Sequence, residues 1–376
     1  MKILLLTNMY PSEQAPNYGV FVQRTEMILK EAGHETILVE LTKKYSFLHK
    51  LMGYFYYVLR FFIKTQFSKP DVIYVHYASQ NAKLILLMKK WKPLIPIILN
   101  THGTDILPQS KAQEKYQPDV QKMMNEINHV IVPSGFYQQV IKEKYNFQGP
   151  ITIFPSGGVN TDFFKADMKI GKDFKDKHAI QSEKIVISYI SRIDAYKGWD
   201  TLLESASLLK NERPDIYSRV HFIVAGSGSQ DQELDAMIIK LGLSESLTRQ
   251  TMLTQSEMKK AFNASDIFCF PSVQESLGLV GLEAMATGLP LLASDIPGTK
   301  DYVNDQNSLV FEPNNASELA NAITTFVHLN DAEKEVLSQN ARNTSLNFDS
   351  KIVSGKLLAV FGNKTKTKTK LKVKED

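Results

Sequence analysis

A strand followed by a helix is the unit that recurs along this chain, and it recurs in two separate series. Short apolar runs typical of buried strands alternate with helical patterns such as residues 20–32 and 198–210. The predicted strands of the first series are residues 2–7, 35–39, 71–76, 95–101, 129–133 and 151–154. Those of the second series are residues 184–190, 220–225, 266–270, 289–294 and 309–312. This alternation predicts an α/β protein with two doubly wound, Rossmann-like parallel sheets.

The length of the chain also indicates two domains. It has 376 residues, of which 43% are hydrophobic, and this is more than one ordinary core holds. We predict one domain over residues 1–166 and a second over residues 167–344, which begins with a polar hinge at 167–183. Ligands of such sheets bind at the carboxyl ends of the strands, so we expect a central cleft that both sets of strand ends face.

The net charge of +4 comes from one short segment. The tail over residues 363–376 holds six lysines and two acids, whereas the rest of the chain holds 38 basic and 38 acidic side chains. We predict that this tail is disordered, because it has almost nothing to bury. The neutral body argues against nucleic acid as a partner, since a nucleic-acid-binding domain carries a basic surface.

The single cysteine and the amino terminus bear on the compartment. Cys269 excludes an internal disulfide framework and lies in an apolar strand run, where packing is its expected role. The apolar run near the amino terminus is too short for a signal peptide and is predicted to be the first buried strand. We therefore predict a cytoplasmic protein.

Residues 43–69 combine positive charge with aromatic side chains. The segment has six Lys or Arg residues, nine aromatics and no acids. At helical spacing, Phe47, Leu51, Phe55, Val58 and Phe62 form an apolar stripe, and Lys50, Gly53, Tyr57, Arg60 and Lys64 form a second, basic one. Its longest uncharged run, residues 51–59, is too short to span a bilayer, which takes about 20 apolar residues. We predict contact with an anionic membrane surface, which makes the protein peripheral at the inner face. The alternative is a helix whose apolar face packs on a sheet.

Residues 271–290 form the most informative local motif, because two glutamates, Glu275 and Glu283, lie on either side of a small-residue turn. A strand precedes the turn, and a helix is predicted to begin near Gly281 and to stop at Gly288. The amides of Ser276, Leu277 and Gly278 would then precede a helix amino terminus, which favours a phosphate. Glu283 is predicted in the first turn, where it can accept a pair of ribose hydroxyls or serve as an ordinary solvated cap.

Other candidate residues follow other predicted strands. Arg192 and Lys197 place two cations before a helix, as a diphosphate requires. Gly226 and Gly228 form a small-residue turn suited to the close approach of a ligand, and His102 follows a strand beside a glycine. Gly19 lies in a loop that opens the first helix.

Taken together, these motifs resemble the retaining GT-B glycosyltransferases of family four. The resemblance rests on five segments of nearly the whole chain: residues 101–103, 158–164, 192–198, 226–228 and 275–290. Tyr10, Pro11 and residues 19–22 resemble the subgroup that acts in bacterial capsule, exopolysaccharide or teichuronic-type cell-wall polymer synthesis. The chain departs from many members in having one glycine in the first loop, where they have a pair.

The resemblance implies a role for each candidate residue. The first domain would bind the acceptor and be completed by a C-terminal helix, 345–362, and the second would bind a nucleoside-diphosphate sugar. Arg192 and Lys197 would hold the diphosphate, Glu283 the ribose, and Glu275 the sugar, with the amides of residues 276–278 on the phosphate or sugar. His102 would lie at the reaction centre, and Gly19 would let the first loop approach the diphosphate.

The chemistry expected is hexose transfer, with retention, to a hydroxyl of a glycan or lipid-linked acceptor. We expect no metal or other cofactor, because two cations can stabilise the leaving group and no Asp-x-Asp pair is present. Two alternatives remain: a GT-B nucleotide-sugar epimerase, and a sugar-nucleotide-binding protein without activity.

Overall fold

The computed structural model describes residues 1–16, 18–43 and 46–362. The chain divides into two compact units, which we call unit 1 (Met1–Gly158 with the segment that begins at Lys351) and unit 2 (Val159–Ser350). The division falls before residue 166, because Val159 and Phe164 are buried in the core of unit 2 and the Val159 amide donates to the Phe348 carbonyl at 2.9 Å. The predicted tail, residues 363–376, lies outside the described residues.

Unit 1 is built on a six-stranded parallel sheet in the order β2-β1-β3-β4-β5-β6. Its strands are β1 Lys2–Tyr10, β2 Glu35–Thr42, β3 Val72–His76, β4 Ile97–Asn100, β5 His129–Val132 and β6 Ile151–Ile153. Its helices are α1 Val20–Glu31, α2 Phe47–Ser68, α3 Ala78–Trp91, α4 Lys111–Glu114, α5 Gln117–Met124 and α6 Gly135–Tyr145. Apolar clusters cover both faces of the sheet, and the last helix packs in one of them through Val353, Leu357 and Phe361.

Unit 2 repeats this arrangement with the strand order β12-β11-β10-β7-β8-β9. Its strands are β7 Ile185–Ile190, β8 Val220–Ala225, β9 Leu247–Gln250, β10 Ile267–Phe270, β11 Leu291–Ser294 and β12 Ser308–Phe311. Its helices are α7 Met168–Lys177, α8 Trp199–Glu212, α9 Pro214–Tyr217, α10 Asp231–Lys240, α11 Gln255–Asn263, α12 Leu279–Ala286, α13 Ala316–His328 and α14 Asp331–Leu346; the last helix of the chain, α15 Ser350–Phe361, belongs to unit 1 from Lys351 on.

The predicted α/β fold of two doubly wound parallel sheets is confirmed. β9 is a strand that the sequence did not predict, because Leu247–Gln250 is a short and mostly polar segment at the sheet edge. In both sheets the strands are parallel, so the loops that follow them gather at one edge. That edge holds the candidate residues.

Candidate functional site

Three predicted segments of unit 2 follow neighbouring strands. Arg192 and Lys197 follow β7, Gly226 and Gly228 follow β8, and the motif with both glutamates follows β10. β7 lies between the other two strands in the sheet, so the three loops adjoin. The backbone links two of them, because the Val273 amide donates to the Tyr196 carbonyl at 2.9 Å.

Lys197 and Glu275 form an ion pair. The Lys197 Nζ atom lies 2.6 Å from Glu275 Oε1, and the two side chains are only 16% and 14% exposed. The same carboxylate oxygen accepts a hydrogen bond from the Ser272 hydroxyl at 2.9 Å. The structure therefore brings together a predicted diphosphate ligand and a predicted sugar ligand, 78 positions apart in the sequence.

Arg192 is held more loosely. Its guanidinium pairs with Asp194 at 2.8 Å, but its side chain is 73% exposed. The pKa of Asp194 is lowered, first by a hydrogen bond from the Ser229 amide and further by the Ser229 hydroxyl and the charges of Arg192 and Lys197. Both cations thus act on the Asp194 carboxylate. Its Oδ1 atom also accepts hydrogen bonds from the amide and the hydroxyl of Ser229, both at 2.8 Å, and so holds the turn after β8. Sequence reasoning assigned no role to Asp194.

The glycines of the turn after β8 are explained by packing. A Cβ atom on Gly226 would lie 1.7 Å from the Ser191 carbonyl oxygen, and one on Gly228 would lie 2.2 Å from the Ile193 carbonyl oxygen. The space that a side chain at either position would take is therefore filled by the loop after β7. These glycines position the loop that carries the cations.

The helix after Glu275 begins at Leu279, two residues before the predicted start at Gly281. Gly278 precedes it with a φ of 81°, in the left-handed region that favours glycine. The prediction that Glu283 lies in the first turn is therefore wrong, because it is the fifth helical residue. An ordinary role as a first-turn cap is excluded with it.

The turn before α12 keeps its amides unpaired. Within the described part of the chain, no backbone partner is found for the amides of Ser276, Leu277 and Gly278. Tyr302 holds the turn from the other side, because its hydroxyl donates to the carbonyls of Leu277 at 2.9 Å and Gly278 at 3.1 Å. Three donors beside a helix amino terminus suit an anion. Nothing in the local sequence pointed to Tyr302.

In unit 1, Asp105 shapes the loop that carries His102. The buried carboxylate accepts hydrogen bonds, all at 2.9 Å, from the amides of His102, Gly103 and Ala78. The last of these amides opens α3, so Asp105 ties the loop after β4 to the helix after β3. Sequence reasoning noted the segment but missed this role.

His102 lies among other rings. Its Nε2 atom is 3.1 Å from Nδ1 of His76, which ends β3, and the Phe21 ring centroid is 4.5 Å away. Burial lowers the pKa of His102 to about 3, and burial followed by the charge of His102 lowers that of His76. Both imidazoles are therefore neutral near pH 7.

Gly19 immediately precedes α1, with a φ of 79°. A Cβ atom there would lie 2.5 Å from the Met9 carbonyl oxygen, so the residue lets the helix begin close against the end of β1.

In helix α2, the buried face is not the one that the sequence predicted. Tyr57 and Phe61 are buried, whereas Leu51 and Phe55 of the predicted apolar stripe are exposed. The predicted basic stripe is partly used within the fold: Arg60 pairs with Glu40 at 2.7 Å, and Lys64 donates to the Leu38 carbonyl at 2.9 Å. The side chain of Phe47 lies outside the described part of the structure.

The outer face of α2 is largely apolar. It joins exposed side chains near the end of α3, and Phe62 contacts Trp91 with ring centroids 6.1 Å apart. We call this area the α2 surface; its exposed apolar residues are Leu48, Leu51, Met52, Tyr54, Phe55, Tyr56, Leu59, Ile63, Phe67, Leu87, Trp91 and Leu94. Among the described helices, none is long and apolar enough to cross a membrane.

Two family models match consecutive parts of the chain. The model described as Glycosyltransferase Family 4 matches residues 13–163, and the model described as Glycosyl transferases group 1 matches residues 171–344.

Curated and solved relatives agree with these matches. A D-inositol 3-phosphate glycosyltransferase of Arthrobacter sp. is 30% identical over 145 residues, which is 38% of this chain and 34% of that protein. The chain thus spans about a third of that relative's length. Among solved structures, sucrose-phosphate synthase from Thermosynechococcus elongatus has a TM-score of 0.77 at 17% identity, over 96% of this chain and 98% of the other. HepE from Anabaena in complex with UDP has a TM-score of 0.74 at 17% identity, over 96% and 99%.

Proposed function

The chain belongs to the GT-B glycosyltransferases related to family four, and we propose that it transfers a hexose-type sugar from a nucleoside-diphosphate sugar with retention of configuration. The proposed acceptor is a hydroxyl of a glycan or lipid-linked molecule in surface polysaccharide synthesis. The observation that carries the proposal is the Lys197–Glu275 pair beside the three unpaired amides that precede α12.

The donor would be held by the three loops of unit 2. Lys197 and Arg192 bind the diphosphate, and the amides of residues 276–278 bind a phosphate or the transferred sugar. Glu275 accepts hydrogen bonds from hydroxyls of that sugar, and Glu283 from the ribose. Solved relatives in complex with UDP or with UDP-glucose support this class of donor.

Charge stabilisation would supply most of the catalysis. The bond between the sugar and the diphosphate breaks as negative charge grows on the leaving phosphate, where Lys197, Arg192 and the helix amides stabilise it. The leaving phosphate oxygen takes the proton of the acceptor hydroxyl, which attacks on the same face. We propose that no metal is required, so turnover in a chelator should equal turnover without it.

His102 in unit 1 would contact the transferred sugar or its phosphate. It is neutral and held by Asp105, so it acts as a hydrogen-bonding group without charge. Unit 1 would also bind the acceptor.

A panel of nucleotide sugars, each with and without lipid-linked acceptor, tests the proposal by release of nucleoside diphosphate. Acceptor-dependent release from one donor is expected. Conversion of a donor to its epimer without any acceptor would favour a nucleotide-sugar epimerase, and a donor that stays unchanged with every acceptor would favour a binding protein without activity. Because curated relatives are named D-inositol 3-phosphate glycosyltransferases, inositol phosphate belongs among the acceptors.

We also propose that the α2 surface rests on an anionic membrane at the cytoplasmic face, where it would meet a lipid-linked acceptor. Its apolar side chains are widely exposed, with Phe55 at 63%, Phe67 at 79% and Leu94 at 92%. The exposed cations Lys50, on α2, and Lys69, directly after it, each add about 1 kcal/mol near anionic lipid.

Flotation with phosphatidylglycerol vesicles tests the membrane proposal. We expect the wild type to float, and a variant with Leu51→Ser, Phe55→Ser and Phe67→Ser to remain at the bottom. Ile239→Ser is the matched control, because Ile239 is 74% exposed but lies on α10 of unit 2. Arg60 and Lys64 are left unchanged, since they bond within the fold. Equal flotation of the triple variant and the wild type would contradict the proposal.

A further inference from the structure

The hydrogen bond between His76 and His102 joins two rings that lie nearly in one plane. Their planes differ by 15° and their centroids are 5.2 Å apart, with Nδ1 of His76 at 3.1 Å from Nε2 of His102. This geometry fits an in-plane N–H···N hydrogen bond. Since both rings are neutral, each carries one proton, and one of the two facing nitrogens must donate while the other accepts.

The surroundings of His76 decide which nitrogen donates. His76 is fully buried, and its Nε2 atom has no hydrogen-bond partner among the described residues. A proton on that atom would leave a buried N–H group without an acceptor, which is rarer in proteins than an acceptor without a donor. The proton of His76 therefore belongs on Nδ1, which donates it in the hydrogen bond to Nε2 of His102.

The second ring nitrogen of His102, Nδ1, is available to a ligand. No partner for its Nδ1 atom is found in residues 1–16, 18–43 or 46–362, and the side chain is half-buried rather than enclosed. A ring whose Nε2 atom accepts from His76 must carry its own proton on Nδ1.

We propose that His76 is a positioning residue that fixes His102 in the Nδ1–H tautomer, so that His102 offers its substrate a neutral N–H donor. The substrate atom that accepts is an oxygen of the sugar or the phosphate, which rests on the function proposed above. In this tautomer His102 has no free lone pair on its exposed nitrogen, so it does not act as the base.

Nitrogen NMR of the full chain with ¹⁵N-labelled histidine rings tests the tautomer in the wild type, with His102 assigned by its loss in His102→Gln. We expect a protonated Nδ1 and an unprotonated Nε2 at pH 7. A protonated Nε2 in the wild type would overturn the proposal.

Variants of His76 test the cause. His76→Asp puts an acceptor where the donor was and should draw the proton of His102 to Nε2, with kcat falling about tenfold, as for one lost hydrogen bond to the substrate. His76→Asn keeps an N–H group near the place of Nδ1 and should restore the tautomer and most of kcat. His129→Leu is the control, because His129 of the same unit bonds to Thr152 at 2.8 Å outside this loop. A His102 tautomer that is unchanged in His76→Asp would also overturn the proposal.

The ring spectra do not depend on turnover. If no donor is consumed in the panel above, the proposed function fails while the wild-type tautomer still decides this inference.

Discussion

At the scale of residues, Lys197 is held by an ion pair with Glu275. Its ammonium lies against the Glu275 carboxylate in a largely buried pair, which the Ser272 hydroxyl supports. If Lys197 binds the donor diphosphate as proposed, the diphosphate competes with Glu275 for its ammonium. The displaced carboxylate then becomes available for sugar hydroxyls, so the same pair can respond to both parts of the donor.

The two members of this pair should affect nucleotide affinity in opposite directions. Lys197→Ala removes a charge that binds the diphosphate and should weaken binding of free nucleoside diphosphate by about tenfold or more. Glu275→Gln releases Lys197 and should tighten that binding by about threefold, while transfer of the sugar falls. Isothermal titration with UDP measures both effects.

Lys300→Ala is the control for these titrations, because Lys300 pairs with Asp295 at 3.1 Å in an exposed pair of the same unit. It should leave the affinity unchanged. Weaker binding in Glu275→Gln, equal to that in Lys197→Ala, would show that Glu275 holds Lys197 in place for the diphosphate and does not compete with it.

The sequence predicted several of these residues by type but none by contact. Lys197, Glu275 and His102 stood out because a charged or titratable side chain follows a strand. Their partners did not, since His76 ends a buried apolar strand and Tyr302 lies in a loop after β11. The His76–His102 pair spans 26 positions and the Lys197–Glu275 pair spans 78, so both depend on how the loops fold against each other.

At the scale of elements, the start of α12 depends on Gly278. Its φ of 81° disfavours other residues, and an added Cβ atom would lie 2.4 Å from the Phe270 ring and 3.1 Å from the Tyr302 hydroxyl. The glycine thus lets the turn with the three unpaired amides lie directly on the end of β10.

Gly278→Ala should therefore lower the free energy of unfolding by about 2 kcal/mol or more, because backbone strain and overpacking add. UDP affinity should fall with it, since the amides move. Gly242→Ala is the matched control in unit 2: it shares a positive φ of 64°, but its Cβ atom would meet only the end of Lys210. Chemical denaturation should show that Gly242→Ala lowers the free energy of unfolding less than Gly278→Ala does. Equal losses of this free energy would contradict the proposed packing of the turn at Gly278.

Periodicity predicted most strands but was less reliable for helix faces and ends. In α2 apolar residues occur on all sides, so the spacing did not identify Tyr57 and Phe61 as the buried residues. For α12 the start was predicted late, because Gly278 and Gly281 are equivalent as sequence signals and only the φ of Gly278 distinguishes them.

At the scale of the whole molecule, the chain consists of two α/β units, each built on a six-stranded parallel sheet, with different strand orders and different loop chemistry. The candidate donor residues belong to unit 2, and His102 with its ring partners belongs to unit 1. The sequence predicted this division of candidates, whereas the change of unit at Val159 depended on packing against Phe348 that no local pattern reveals.

Hydrogen–deuterium exchange of the full chain, with and without UDP, tests whether the nucleotide binds at the start of α12. A donor site at the start of α12 predicts slower exchange in the loops after β7 and β10 of unit 2, and most strongly at the amides of Ser276, Leu277 and Gly278, for which the described residues offer no backbone partner. Lys197→Ala should lose this protection at the same UDP concentration. Protection confined to unit 1, or saturating UDP that leaves residues 276–278 exchanging as before, would contradict a donor site at the start of α12.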